Sequence, residues 1–125
     1  MMTSNSVKKI DAGPVILIVS DMEKSREYYQ NALGCSHDSC GHTAREGLLL
    51  LMHEVRNKEA IKPISSIEDG PDYDIYTYCN HIDDLHDEFV RNGAIIVSAP
   101  TVSESGWKEL IVQDLDGYKI AFGGN

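Results

Sequence analysis

The sequence predicts an α+β protein built from two βαβββ modules, a mixed sheet curving into a cup with helices on its outer face. Three observations lead there. Short apolar runs rich in β-branched or aromatic residues sit beside helix-length amphipathic stretches. A strand–helix unit at the start recurs sixty residues later in the same register. Each copy is followed by three more strand signals, so every helix has a sheet face to cover.

The first unit opens with "GPVILIVSD" (13–21), a compact run bounded by Gly-Pro and Ser-Asp, which reads as a buried strand. "SDMEKSREYYQNALG" follows. Ser20 with Glu23 predicts a capping box, Gly34 predicts the stop, and Met22, Tyr29, Ala32 and Leu33 share one helical face. Cys35 to Arg45 reads as a short hairpin and "GLLLLMHE" as a buried strand. In the second unit "YDIYTYCN" (73–80) is the strand and "HIDDLHDEFVRNGA" (81–94) the helix. Val15 answers to Ile75, Met22 to Ile82 and Tyr29 to Phe89. "AIIVSAP", "WKELIVQD" and "YKIAFG" are the later strands, and "DLDG" between the last two is a tight-turn sequence. The charged stretch 55–72 holds two prolines and no periodicity. It reads as the connection, with one helical turn near Lys58–Ile61. The chain is thus expected to be a single domain, residues 1–125, with modules at about 10–54 and 72–125 joined by 55–71.

Composition narrows the function. At 125 residues and 42% apolar content the chain can bury one core. A net charge of −9 argues against nucleic acid and anionic membrane surfaces and mildly favours cationic partners. The longest pure apolar runs, Val15–Val19 and Leu48–Met52, are far too short to span a bilayer, and "MMTSNSVKK" lacks a secretory h-region. Three cysteines, an odd number, do not suggest a disulfide framework. These observations predict a cytoplasmic protein.

"VILIVSDMEKSREYYQNALG" and the closing "WKELIVQDLDGYKIAF" (107–122) resemble the opening and closing patterns of the vicinal-oxygen-chelate superfamily. That superfamily includes glyoxalase I, the extradiol dioxygenases, methylmalonyl-CoA epimerase and the fosfomycin- and bleomycin-resistance proteins. The resemblance spans nearly the whole chain. It implies a cup that, in the enzymes, holds a divalent metal on His, Glu or Gln from the first and last strand of each module. Carried over, those positions are Pro14, Leu50, Asp74 and Ala121. Only Asp74 can ligate, and a register shift of one residue rescues none of the others. The resemblance therefore implies the fold without a metal or other cofactor.

The leading reading is metal-independent binding of a small organic molecule by a homodimer, as in the bleomycin-resistance branch. The first module is expected to contribute Ile16, Ile18, Leu50 and Met52 to the ligand. The second is expected to contribute Asp74, Tyr76, Tyr78, Trp107, Glu109 and Ala121. Tryptophan and tyrosine near carboxylates suit a cationic or aromatic ligand, and packing roles for those rings weigh about equally. Two other readings stay open: a metal-dependent lyase, isomerase or dioxygenase with an atypical ligand set, and a dimeric interaction module. No catalytic residue is assigned, because no nucleophile–base constellation is visible; Cys79 reads as a buried small hydrophobe, and "FGGN" reads as the chain end.

One cluster tempts a different conclusion. "CSHDSCGH" (35–42) holds two cysteines and two histidines, the side chains zinc prefers. On a strand, Cys35 and His37 point one way and Cys40 and His42 the other, so the expectation is an edge hairpin. His53 is expected at a strand boundary. His81 and His86, five apart, are expected in solvent.

Overall fold

The computed structural model describes residues 8–125. Most of the stretch read above for a secretory leader, residues 1–7, lies outside them. The elements run β1 (Val15–Val19), α1 (Met22–Asn31), β2 (Ser36–His37), β3 (His42–Arg45) and β4 (Leu48–Glu54). After the connection come β5 (Ile75–Cys79), α2 (Ile82–Arg91), β6 (Ile95–Val102), β7 (Lys108–Gln113) and β8 (Lys119–Gly124). The sixty-residue offset holds residue for residue, β1 onto β5 and α1 onto α2. Both sheets are mixed and share one strand order, β1-β4-β3-β2 and β5-β8-β7-β6, with β1–β4 and β5–β8 parallel and the other pairs antiparallel.

The ends of the first helix differ from expectation in one respect. Asp21, not Ser20, is the N-cap, accepting from the Lys24 N–H at 3.0 Å. The Ser20 hydroxyl instead donates to Asp116 of the second module at 2.6 Å. Glu54 also accepts from the Met22 N–H at 2.7 Å, so carboxylates from two elements meet the positive end of α1. At the other end Gly34 takes φ +75°, and the Cys35 N–H returns to the Tyr29 carbonyl at 2.9 Å. The left-handed backbone favours glycine there, and a Cβ would also stand 2.7 Å from Arg45 Nη1, so the guanidinium would have to shift off its contacts.

The "DLDG" turn forms as predicted, with Gly117 at φ +92° and the Gly117 N–H on the Asp114 carbonyl. The connection carries two short 3₁₀ turns, Lys58–Ala60 and Ile64–Ser66, where one was expected. His81 is exposed as predicted, while His86 is half-buried.

The two modules meet through their helix-covered faces. Tyr29, Leu33, Leu50, Ile82, Phe89 and Leu110 are fully buried members of one cluster spanning both halves. Polar clasps cross the same boundary. The Tyr29 hydroxyl donates to Asp114 Oδ2 at 2.7 Å, and the Tyr118 hydroxyl donates to the Ile18 carbonyl at 2.9 Å. Arg45 reaches Glu88 of α2 with two N–H groups, at 2.6 and 3.0 Å. Asp114 is 2% exposed, and burial pushes its carboxyl up to about 6 although Tyr29, Asp116 and Tyr118 all donate to it. Among the described residues no strand ladder joins the two sheets. Every strand residue of the buried cluster has the helix-covered parity, so the other face of each sheet is turned away from the shared core. No described helix is long and apolar enough to cross a membrane.

Candidate ligand cup

Strand alternation and ladder register decide which side chains the open faces carry. In the first module Leu17 pairs with Met52 and Val15 with Leu50, so Leu50 and Met52 share the helix-covered face with Leu17 and Val19. Leu50 is fully buried and Met52 nearly so. The placement of Leu50 and Met52 beside Ile16 and Ile18 is thereby corrected. The residues sharing the open face with those isoleucines are Leu51, His53 and Leu49. Ile16 pairs with Leu51 and Ile18 with His53. His42, opposite Leu51 on β3, faces the same way. His53 is thus a surface residue of the cup rather than only a strand boundary, and Ile16 is 67% exposed.

The second module carries the more defined surface. Tyr76 and Tyr78 on β5, Ala121 and Gly123 on β8, and Glu109 and Ile111 on β7 share one face. The Tyr76 hydroxyl donates to Glu109 Oε2 at 2.7 Å, and Trp107 Nε1 donates to the Tyr76 oxygen at 2.7 Å. Four rings meet edge-on in a row, with centroids 5.0 Å apart for Tyr73–Tyr76, 5.7 Å for Tyr76–Tyr78 and 6.1 Å for Tyr78–Trp107. Tyr78 is 82% exposed. Burial, together with the Glu109 carboxylate beside it, raises the Tyr76 phenol above its ordinary value, while the Trp107 N–H acts the other way.

Gly123 admits this arrangement. A Cβ there would overlap the Tyr76 hydroxyl and stand 2.8 Å from Trp107 Nε1. The reading of "FGGN" as a bare chain end is corrected accordingly: Gly123 and Gly124 are buried residues of β8.

Asp74 does something else. Its Oδ2 accepts from the Ser65 hydroxyl at 2.6 Å and the Lys119 N–H at 2.8 Å, and its Oδ1 accepts from the Ser65 N–H at 3.1 Å. The carboxylate latches the connection to the start of β8. The four positions implied for a metal therefore do not fit one. Pro14 has no donor, Leu50 faces the core, Ala121 is fully buried without a donor, and Asp74 is occupied. Among the described residues no group of three or more His, Cys, Asp or Glu could hold a metal ion.

"CSHDSCGH" separates as parity predicts. Cys35 is buried under α1, and burial pushes its thiol up to about 11. His37 spends both ring nitrogens, on the Arg26 carbonyl at 2.9 Å and the Thr43 hydroxyl at 2.8 Å. Asp38 gathers the turn, accepting from the Cys40 and His42 N–H groups, while its other oxygen meets His42 Nδ1 at 2.9 Å. Cys40 is exposed in that turn. Cys79 is half-buried rather than fully packed, on the helix-covered side of β5.

A sequence profile of the Glyoxalase/Bleomycin resistance protein/Dioxygenase superfamily matches residues 12–122. The chain belongs to this superfamily. Solved structures share the glyoxalase fold at low identity. TioX from Micromonospora sp. ML1 superposes with a TM-score of 0.67 at 15% identity, covering 90% of this chain and 97% of its own. A superfamily member from Sphaerobacter thermophilus DSM 20745 gives 0.66 at 19%, covering 93% and 98%. The hypothetical protein SA1046 from S. aureus gives 0.64 at 22%, covering 94% and 96%. No curated protein matches the sequence. The glyoxalase-type module explains why each helix lies on one side of its sheet and leaves the other side bare.

Proposed function

We propose that this chain is a metal-independent small-molecule binding protein of the glyoxalase/bleomycin-resistance type, acting as a single domain in a cytoplasmic homodimer. The observation that carries the reading is the aromatic row Tyr73–Tyr76–Tyr78–Trp107 beside Glu109, partly open to solvent on a sheet face with no fitting metal set. Rings of this kind with a carboxylate suit a cationic or aromatic ligand. The geometry of one chain supports dimerisation. Its two open faces point away from the shared core, so a closed cup needs the first module of one copy against the second module of another. The free edges β1 and β5 and the exposed Ile16 and Tyr78 supply the surface for it. Three unpaired cysteines suit a reducing compartment.

Calorimetric titration with a panel of cationic and aromatic compounds tests the proposal. Saturable binding at one site per cup supports it, and a uniformly silent panel contradicts it. A second reading, a metal-dependent lyase, isomerase or dioxygenase, is favoured by one observation. His42 and His53 lie on the open face of the first module, one strand apart. Two imidazoles are too few for a catalytic site, so the partner copy would have to complete the set. Elemental analysis of the purified protein separates the two readings, because a stoichiometric, chelator-removable divalent metal would favour the second.

A further inference from the structure

We infer that Tyr76 is the specificity-determining residue of the cup, held by Gly123 and Trp107 so that it aims Glu109 at an organic cation. The ligand class is then a quaternary or protonated amine and not a neutral aromatic. This rests on the binding role proposed above and goes one step past it.

The geometry is a relay. Trp107 donates its only N–H to the Tyr76 oxygen, and Tyr76 donates its only O–H to Glu109 Oε2. That uses the donors of both aromatic residues and fixes the direction of every hydrogen bond, since indole can only donate and a carboxylate can only accept. It leaves one oxygen of Glu109 without a protein donor among the described residues.

No resident cation answers that oxygen. None of the ion pairs among the described residues includes Glu109. Lys108, its neighbour, is committed to Asp83 at 2.9 Å. Lys119 shares the open face, but it lies four residues along β8 from Gly123, the ladder partner of Glu109, or about 13 Å of strand. An anionic group with a free oxygen thus stands on the sheet face that carries Tyr78, 82% exposed, and is joined through Tyr76 to Trp107. A cation there gains charge attraction and the negative faces of the rings together. A neutral isostere gains only contact, and an anion is repelled.

Gly123 makes the relay possible. Any side chain at that position would displace the Tyr76 hydroxyl, breaking both hydrogen bonds at once. Tyr76 is a positioning residue, and its effect should be read in selectivity and not in folding.

The experiment uses the full chain and an isosteric pair, choline and 3,3-dimethylbutan-1-ol, which differ in charge at nearly constant shape. Trp107 is the sole tryptophan, so its indole N–H gives one proton resonance at the site. The expected result is a saturable shift of that resonance, with choline bound at least tenfold more tightly than the alcohol. In Tyr76→Phe the aromatic wall stays and the hydroxyl is lost, and the preference should fall below threefold. Glu109→Gln, on a half-exposed side chain, should do the same without the risk to folding that Gly123→Ala carries. A wild-type chain that binds both compounds equally keeps the binding role and overturns the inference. So does a Tyr76→Phe variant that keeps the tenfold preference. If neither compound binds, the inference falls, and the wider panel decides the binding role.

Discussion

The carboxyl of Asp114 is the most consequential buried charge in the clasp between modules. It is 2% exposed, with its pKa pushed up to about 6 by burial, against a model-peptide value near 3.9. The folded chain therefore binds this proton more tightly than the unfolded chain does. The charged form costs stability in full above about pH 6, and the cost is relieved as the pH falls toward 4. Two pKa units at about 1.4 kcal/mol each give about 3 kcal/mol. For a domain of this size that corresponds to a shift in Tm of roughly 10 °C. Asp114→Asn keeps the shape and removes the charge. Its amide oxygen can still accept from the Asp116 and Tyr118 N–H groups, and its NH₂ can donate to the Tyr29 oxygen. The assay is thermal unfolding of both proteins from pH 4 to pH 8. The difference between them isolates Asp114 from the other carboxylates, whose ion pairs weaken with acid. The variant should be more stable than wild type by several degrees at pH 7.5, and the gap should close toward pH 4. A variant that is less stable at pH 7.5, or a gap independent of pH, would refute the reasoning.

Further outcomes follow from the same contacts. Arg45→Ala should cost about 1 kcal/mol or less in high salt, because each member of the Arg45–Glu88 pair keeps 28% of its side-chain surface in water, and chemical denaturation at two salt concentrations reads it. Gly34→Ala should cost more, about 1–2 kcal/mol, from its left-handed backbone and its approach to Arg45; a neutral result would remove both arguments. A thiol reagent under native conditions should label Cys40 quickly, Cys79 slowly, and Cys35 only on unfolding, and Cys40→Ser should abolish the fast phase. Zinc should not be retained by "CSHDSCGH", and a Cys35→Ser/Cys40→Ser variant that loses bound zinc would contradict that. Ile16→Asp should shift the protein from twice 13.9 kDa to 13.9 kDa in light scattering if the bare face of β1 is the dimer surface.

The duplication was legible because both copies kept their pattern where packing demands it. Tyr29 and Phe89 are each among the largest fully buried side chains, and Met22 and Ile82 each open a helix. What failed was decided by distant partners. Ser20 looked like a cap, but Asp116, ninety-six residues away, takes its hydroxyl, and the adjacent Asp21 caps instead. Four consecutive leucines carry no alternation, so only the parallel register of β4 against β1 could place Leu50 and Met52 on the core side and Leu49 and Leu51 on the open side. Asp74 was assigned to the cup because the superfamily resemblance places a ligand position there; its partner Ser65 sits in the irregular connection, where no periodicity announces it. Gly123 had a signal that could have been used, a glycine inside an apolar strand, which often marks a close approach of another group. Alternation alone pairs Tyr76 with Tyr78 and Trp107 with Glu109, whereas the place of Tyr73 in the row and the relay joining Trp107, Tyr76 and Glu109 required coordinates.

Metal-independent binding of an organic ligand in the cup decides the proposal. It is tested most directly by titrating chelator-treated protein with phenyltrimethylammonium while following the emission of Trp107, the sole tryptophan. A saturable change that is the same before and after metal removal, and weaker in Glu109→Gln, is the expected result. A silent titration, or a change that appears only when a divalent metal is restored, would contradict it.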